Sequence, residues 1–218
     1  MVYIIPSFIS GDENMDFNIT SVIEISLYFL ALINPASKVF FLSAHQPSLT
    51  TPEIRHIARR ATLFALIILA GSAAGGKVIL ENIFKVKLYA LQLSGGLVLL
   101  FSGLAAVQKG KFYHEQENKH VSHDELSVVP LAAPLIAGPG TIAATISFSI
   151  QHGFMQTIMA LTPALLINLA AMYASRYISR MLEFLVFVGP VIRLTGLVVM
   201  AMAMQMMLTG IGEFVKQL

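Results

Sequence analysis

Runs of apolar residues divide the chain into six segments, each long enough to cross a lipid bilayer and separated from the next by a polar stretch. About 20 helical residues span the ~30 Å hydrocarbon layer, at ~1.5 Å per residue. A further apolar run at 184–192 is too short to span, and we interpret it as an interfacial piece or a helix extension. The predicted segments cover approximately residues 19–42, 61–80, 88–107, 126–150, 154–174 and 194–212.

The first and the fourth segment each contain residues that interrupt a helix near the middle of the membrane. These are Asn34-Pro35 in the first and Gly138-Pro139-Gly140 in the fourth. Proline cannot donate an N–H to the preceding turn, and it favours the first position of a new helix, directly after a capping residue. Each segment is therefore predicted to be two half-helices. Non-helical backbone at this depth occurs where protein or a water-filled cavity surrounds it.

The two interruptions belong to an internal repeat. Residues 34–37 (NPAS) match 138–141 (GPGT), and residues 92–95 (QLSG) match 193–196 (RLTG), at nearly the same separation. A repeated unit with three spans inserts its two copies in opposite orientations, and paired broken helices in such repeats mark substrate sites. The sequence thus predicts an all-α membrane protein with six transmembrane helices, arranged as two inverted three-helix repeats with broken first and fourth helices.

The predicted organisation follows from this repeat. It consists of an extracytoplasmic N-terminal segment at 1–18, a first three-helix repeat at 19–107, a cytoplasmic connecting loop at 108–125 and a second three-helix repeat at 126–218.

Composition and charge support a membrane location. Only 12% of residues are charged, against about a quarter in soluble domains. Lysine and arginine concentrate in the linkers after segments one, three and five, so the positive-inside rule predicts that both termini are extracytoplasmic. The basic residues lie between apolar segments rather than on one face, which argues against nucleic-acid binding. The segments contain no paired carboxylates or Ser/His pair, so neither an enzyme nor a cofactor or metal site is predicted.

Several motifs resemble the MarC family. They are the run PLAAPLIAGPGTIAATI at 130–146, the Asn34-Pro35 break, the Gly95-Gly96 pair, and R-L-x-G followed by Q-x-x-x-x-G in segment six. These are six-helix membrane proteins that include small neutral amino acid transporters, and the resemblance covers about residues 20–212. It implies a multi-pass protein of the plasma (inner) membrane that moves glycine, alanine or serine, with proton coupling as an option.

The half-helix ends form the predicted substrate site. Free N–H groups at two helix N-termini carry partial positive charge and suit a carboxylate. The carbonyls that end the preceding half-helices, near 30–33 and 134–137, suit an ammonium group. The predicted substrate-binding residues are Asn34, Pro35, Ala36, Ser37, Gly138, Pro139, Gly140 and Thr141.

Two charged residues within or beside the first segment are secondary candidates. Lys38 is predicted to snorkel toward the cytoplasmic surface, with anion binding as the alternative. Glu24 is predicted to be interfacial, with a role as proton carrier as the alternative.

Four polar residues in the other segments are further candidates. Ser94 and Thr195 are predicted to bond back to their own helices, and Gln205 and Asn168 to be buried ties between helices. Substrate contact is the alternative for all four. Close helix approach, rather than ligand contact, is predicted for Gly95, Gly96, Gly103 and Gly196.

The leading hypothesis is a secondary transporter, an exporter or exchanger, that moves small neutral amino acids by alternating access. A passive channel and a non-transporting membrane scaffold are the alternatives. The expected partners are the amino acid and the lipid bilayer, without nucleic acid. The sequence does not specify the physiological substrate, direction, coupling ion or oligomeric state, and a homo-oligomer stays open.

Overall fold

The computed structural model of the protein describes residues 19–44, 50–109, 136–184 and 188–217. The regular structure of these residues is helical throughout, and α3 continues into a π-helical turn at Ile79–Ile83. The helices are α1 (Ile19–Ile33), α2 (Pro35–Ala44), α3 (Thr51–Val78), α4 (Leu88–Lys109), α5 (Pro139–His152), α6 (Phe154–Tyr173), α7 (Ser175–Phe184) and α8 (Val188–Val215).

The predicted break in the first segment is confirmed, and Asn34 makes it. Its φ of 52° lies in the left-handed region, which asparagine tolerates better than most residues. Its N–H donates to the Leu30 carbonyl at 2.9 Å, which closes α1, and Pro35 opens α2. The Asn34 carbonyl then accepts from the Ser37 hydroxyl at 2.8 Å. One residue therefore ends one half-helix and caps the next.

The second predicted helix start is also present. Gly138 is the extended N-cap residue of α5, with φ −70° and ψ 166°, and Pro139 occupies the first turn. The Ile142 N–H donates to the Gly138 carbonyl at 2.9 Å. The first half of the fourth segment, 126–135, lies outside the described residues, as do the predicted N-terminal segment and nearly all of the loop at 108–125.

Helix α3 begins well before the predicted start at residue 61. The Thr50 N–H donates to Glu53 Oε2 at 2.5 Å in a capping box, and proline follows in the first turn. The three arginines of the linker after segment one, Arg55, Arg59 and Arg60, are therefore part of this helix. Hydropathy located the apolar part of this helix and missed its charged first turns.

Residues 188–192 of the short apolar run are a helix extension, one of the two interpretations offered for that run. Helix α8 begins at Val188 and continues to Val215, so Arg193 lies within it rather than at its start. The separate helix α7, which the hydropathy pattern did not predict, joins α6 to this region.

Five stretches of described residues are long and apolar enough to cross a membrane. Helix α5 has 14 residues, about 21 Å of helix, and would span only together with the residues before it. The sixth span and the inverted repeat therefore stay predictions. The five candidate spans are Ile19–Ser43, Thr51–Ile83, Leu88–Lys109, Phe154–Tyr173 and Gly189–Val215.

Glycines bring α4 and α8 into close antiparallel contact. A Cβ added at Gly96 would lie 2.9 Å from the Ala203 carbonyl oxygen, and one added at Gly103 would lie 2.8 Å from the Gly196 carbonyl oxygen. Residue numbers fall on one helix as they rise on the other, so the helices run in opposite directions. Small residues at such contacts let backbones approach, as predicted for these glycines.

The remaining helices pack around α6 and α5. Helix α6 contacts α1, α2 and α3, while α5 lies against α3 and α4. The Ser149 hydroxyl of α5 donates to the Ala73 carbonyl of α3 at 2.7 Å, and Arg176 Nη1 donates to Thr51 Oγ1 at 2.8 Å. Through these two bonds, the C-terminal part of α5 lies near Ala73 of α3, and the start of α7 lies near Thr51 at the other end of α3.

Candidate functional site

The break at Asn34 and the helix start at Gly138, together called the breaks, lie at similar depths. The Phe148 ring of α5 meets Tyr28 and Phe29 of α1, with centroids 5.1 and 5.4 Å apart. Asn34 follows Phe29 by about 7 Å along α1, and Pro139 precedes Phe148 by about 13 Å along α5. Helix α1 leads into α2, which packs on α7 at the Thr51 end of α3, whereas α5 leads toward Ala73 at the other end, so α1 and α5 run in opposite directions. Both breaks therefore lie on the same side of this aromatic cluster and differ in depth by about one helical turn.

Asn168 of α6 lies close to this level. Ala73 lies about 33 Å from Thr51 along α3. Ser149 of α5 is bonded to Ala73, and Pro139 lies about 15 Å before Ser149 along α5. Asn168 lies eight residues before Arg176 of α7, about 12 Å of helix over the end of α6 and the start of α7, and Arg176 is bonded to Thr51. The depth of Asn168 thus differs from that of the α5 N-terminus by about one helical turn.

Lys38 is buried, with 2% of its surface exposed, and does not snorkel. Its ammonium donates to the Ile33 carbonyl, at the C-terminal end of α1. The prediction was wrong because α2 turns the lysine back toward the break, where the carbonyl end of α1 carries partial negative charge. The ammonium occupies a position that we expected for the ammonium group of a substrate.

Buried amide groups near the breaks lack hydrogen-bond partners among the described residues. They are Nδ2 of Asn34 and both amide atoms of Asn168, which is fully buried. None of the described residues therefore forms the predicted interhelical tie with Asn168. Leaving such a group unsatisfied costs about 1–3 kcal/mol, and in native proteins a bound water, an ion, backbone strain or a functional role accounts for it.

The other predicted substrate-binding residues surround the breaks with varying exposure. Ser37, Gly138, Gly140 and Thr141 are buried, Pro35 and Ala36 are partly buried, and Pro139 is exposed.

The space beside Gly140 is filled by the protein. A Cβ added there would overlap the Leu99 side chain of α4. The room that we expected for a substrate side chain at this glycine is therefore occupied in this conformation.

The secondary candidates divide into two groups. The Ser94 hydroxyl donates to the Leu91 carbonyl and the Thr195 hydroxyl to the Val191 carbonyl, so both bond back to their own helices as predicted. Gln205 is exposed rather than buried, and so is Glu24. The prediction for Gln205 failed because α8 turns this residue away from the α4 contact.

A small, half-open cavity lies one to three helical turns from the breaks, between α1, α4, α5 and α8. Its volume is about 30 Å³, and both apolar and polar side chains line it. Sequence reasoning missed it, although amides within apolar segments, such as Gln92 and Gln151, were an available signal. The lining residues are Tyr28, Gln92, Ala144, Ser147, Phe148, Gln151, Gln205, Met206 and Thr209.

Apolar helices long enough to span a bilayer, broken helices and buried polar groups at one depth define a multi-pass integral membrane protein. The profile of the MarC family of integral membrane proteins matches residues 19–215, and the chain belongs to this family.

Relatives from archaea and bacteria are similar over most of the chain. A UPF0056 membrane protein of Pyrococcus horikoshii is 34% identical, covering 90% of this chain and 96% of its own length. The UPF0056 membrane protein YvbG of Bacillus subtilis is 27% identical, with 87% and 93% covered. One of Methanocaldococcus jannaschii is 29% identical, with 83% and 91% covered. No solved structure shows significant similarity to the chain.

Proposed function

We propose that the protein is a secondary transporter of small neutral amino acids, which it binds between the two helix breaks. The observation that carries this proposal is the set of unsatisfied buried amides and the buried Lys38 at the depth where two helices begin. Buried polar and charged groups in a membrane protein are costly, and they typically mark the path of a solute.

The packing supports an inverted repeat with alternating access. A two-fold relation between the repeats exchanges α2 with α5, α3 with α6, and α4 with α8. This two-fold relation turns a contact between α2 and α6 into a contact between α5 and α3. Both contacts are present. The antiparallel α4–α8 pair is its own equivalent under this relation. Such repeats alternate access by rocking one unit against the other around a central site.

The residues suggest how a zwitterion is held. The N-terminus of α5 presents free N–H groups of its first turn toward the carboxylate, while the Asn168 carbonyl oxygen accepts from the substrate ammonium. Lys38 keeps the net charge of the site positive before substrate enters. Small substrates are favoured because Leu99 closes the space at Gly140.

The orientation in this proposal has both termini outside the cytoplasm, in the plasma membrane. The first turns of α3 and the start of α7 share one end of the molecule through the Arg176–Thr51 bond, and both stretches are rich in arginine. Arginine-rich ends favour the cytoplasmic side.

Counterflow in proteoliposomes tests the proposal. Vesicles that contain the purified protein are loaded with unlabelled alanine, glycine or serine, and uptake of the radiolabelled amino acid is followed against protein-free vesicles. A transporter gives transient accumulation above equilibrium. Absence of counterflow for all three, with and without a pH or sodium gradient, would contradict the proposal, and flux that neither saturates nor shows counterflow would indicate a channel.

Replacing Asn168 by leucine separates a binding role from a structural one. We expect the melting temperature to stay unchanged or rise, because the substitution removes two unsatisfied buried atoms. We expect flux to fall about tenfold, the equivalent of one lost hydrogen bond of about 1.4 kcal/mol. The matched control is Asn82→Leu, at an exposed position, which should change neither quantity. Unchanged flux in Asn168→Leu would exclude this residue from the site.

A further inference from the structure

The exposed side of α6 and α7 changes character toward the end of the molecule that carries the arginines. Exposed side chains recur there every three or four residues, so they form one continuous stripe. An apolar part, in which Leu166 is 58% exposed, leads to Tyr177 at 76% and then to Arg180. Apolar, aromatic and cationic side chains follow one another in this order from the hydrocarbon to the headgroups of a bilayer. The stripe contains Leu166, Ala170, Tyr173, Tyr177 and Arg180.

Helix α7 buries serines and exposes larger apolar and aromatic side chains, the reverse of a helix that faces water. Ser175 and Ser179 have 0% and 2% of their surface exposed, whereas Met181 is 48% exposed and Tyr177 more so. An amphipathic helix at a membrane surface places its apolar and aromatic side chains against the lipid and its arginines among the headgroups. The exposed side of α7 therefore suits the membrane interface.

A second stripe with the same order runs along α3. Arg55, Arg59, Leu63 and Ile67 follow one another at intervals of four residues, and all four are exposed. The leucine and the isoleucine are suited to contact with acyl chains. The two arginines follow on the same side of the helix and lie about 6 Å apart along its axis. The headgroup region of one leaflet is about 5–8 Å thick, so both arginines fit within it.

The two stripes end at the same end of the molecule. Helix α3 contacts α6, and Arg176 Nη1 at the start of α7 donates to Thr51 Oγ1 at the start of α3. We call Arg55, Arg59 and Arg180 the arginine rim. No salt bridge with a carboxylate of the described residues neutralises these three side chains. The rim therefore presents positive charge beside the lipid-facing stripes.

We propose that the arginine rim holds anionic phospholipids, of the phosphatidylglycerol type, in preference to zwitterionic ones. A guanidinium group donates two parallel N–H groups to phosphate oxygens, and the Tyr177 ring packs beside the glycerol and the upper acyl chain. The choline of a zwitterionic lipid offsets its own phosphate charge, whereas an anionic lipid neutralises the arginine. The proposal is independent of amino acid transport, since lipid binding does not require a solute.

A single tryptophan tests the proposal, because the chain contains none. Tyr177→Trp places the indole beside Arg180, and Phe101→Trp places one at a position 62% exposed in the middle of α4. Each full-length variant is reconstituted into an equal mixture of phosphatidylcholine and phosphatidylglycerol. Acyl-chain bromine on one lipid and then on the other shows which lipid quenches the fluorescence. We expect phosphatidylglycerol to be preferred about fivefold at residue 177, the factor for one arginine near an anionic surface, and not at residue 101.

Removing the charges of the rim distinguishes lipid recognition from a general property of the bilayer. With Arg55→Gln, Arg59→Gln and Arg180→Gln combined, the preference at residue 177 should disappear. The matched control is Lys85→Gln with Lys87→Gln, at two exposed positions beyond the other end of α3, and it should keep the preference. Added salt should weaken the preference, because ions screen exposed charges.

Four results would overturn the proposal. They are equal quenching by the two lipids at residue 177, the same preference at residue 101, a preference that survives in the combined arginine variant, and displacement of the lipid by inorganic phosphate but not by chloride of equal ionic strength. The last would indicate a site for a free anion. The melting temperature in phosphatidylcholine shows whether the combined variant is folded. If it is not, Arg180→Gln alone decides the question, and it should lower the preference severalfold.

Discussion

Replacement of Lys38 by methionine should abolish most transport while leaving a folded protein. Methionine fills nearly the same volume as the lysine stem but carries no charge and donates no hydrogen bond. The Ile33 carbonyl loses its partner, at a cost of about 1–3 kcal/mol. Removing a buried charge relieves a desolvation penalty of at least comparable size. The two effects oppose each other, so we expect only a small change in melting temperature.

The loss of flux has a different cause from any change in stability. Lys38 is the charged group buried at the Asn34 break, and in our proposal it gives the site its positive charge. Its removal weakens carboxylate binding, for which charge-assisted hydrogen bonds contribute about 1.5–3 kcal/mol, so counterflow of alanine should fall at least about tenfold.

The matched control for this substitution is Lys77→Met, which makes the same chemical change at an exposed position near the end of α3. It should retain the counterflow of the parent protein. Full counterflow in Lys38→Met at equal protein content would show that the lysine only closes α1. A large fall in melting temperature in that variant would instead show a purely structural role.

Leucine at Gly103 should separate α4 from α8 and prevent stable folding. The Cβ would lie 2.8 Å from the Gly196 carbonyl oxygen and 2.6 Å from Met200 Cγ. The methionine side chain can move, but the carbonyl belongs to the helix backbone and moves only if the whole helix does. Overpacking costs about 1–3 kcal/mol where side chains adjust, and we expect the upper end or more here. The measurement is the melting temperature and the monodisperse yield in detergent.

The control for this prediction is Gly71→Leu on α3, where an added Cβ meets nothing within 4 Å. It replaces a helical glycine by a better helix former, a gain of about 1 kcal/mol, and should be neutral or stabilising. Equal stability of the two leucine variants would mean that α4 and α8 do not pack together at Gly103.

The helix breaks illustrate what could be predicted from local sequence. A proline lacks the N–H that a continuing helix needs, and an asparagine or glycine before it adopts the backbone angles that end or begin a helix. These constraints act within a few residues, so the break at Asn34 and the helix start at Gly138 occur where the chain pattern predicts them. The capping box at Thr50 was equally local and could have been recognised, had the charged turns that follow it not been assigned to a linker.

The orientation of individual side chains could not be predicted in this way. Hydropathy placed Lys38 within four residues of a surface, and snorkelling followed as the simplest expectation. The direction in which α2 leaves the break decides whether the ammonium reaches water or the Ile33 carbonyl. Gln205 was expected to be buried because it lies mid-segment, whereas the rotation of α8 against α4 leaves it exposed at the cavity.

The sequence by itself determined the membrane class, the place where one helix is interrupted and another begins, and the glycines that permit close helix contact. These features depend on composition and on bonds within one turn of backbone. Only the tertiary structure decided that Leu99 fills the space at Gly140, that Asn168 lacks a partner among the described residues, and that four helices line a small cavity. Each of these depends on how helices far apart in the chain are rotated and shifted against one another. Helix rotation is set by the sum of many packing contacts, and no short stretch of residues encodes it.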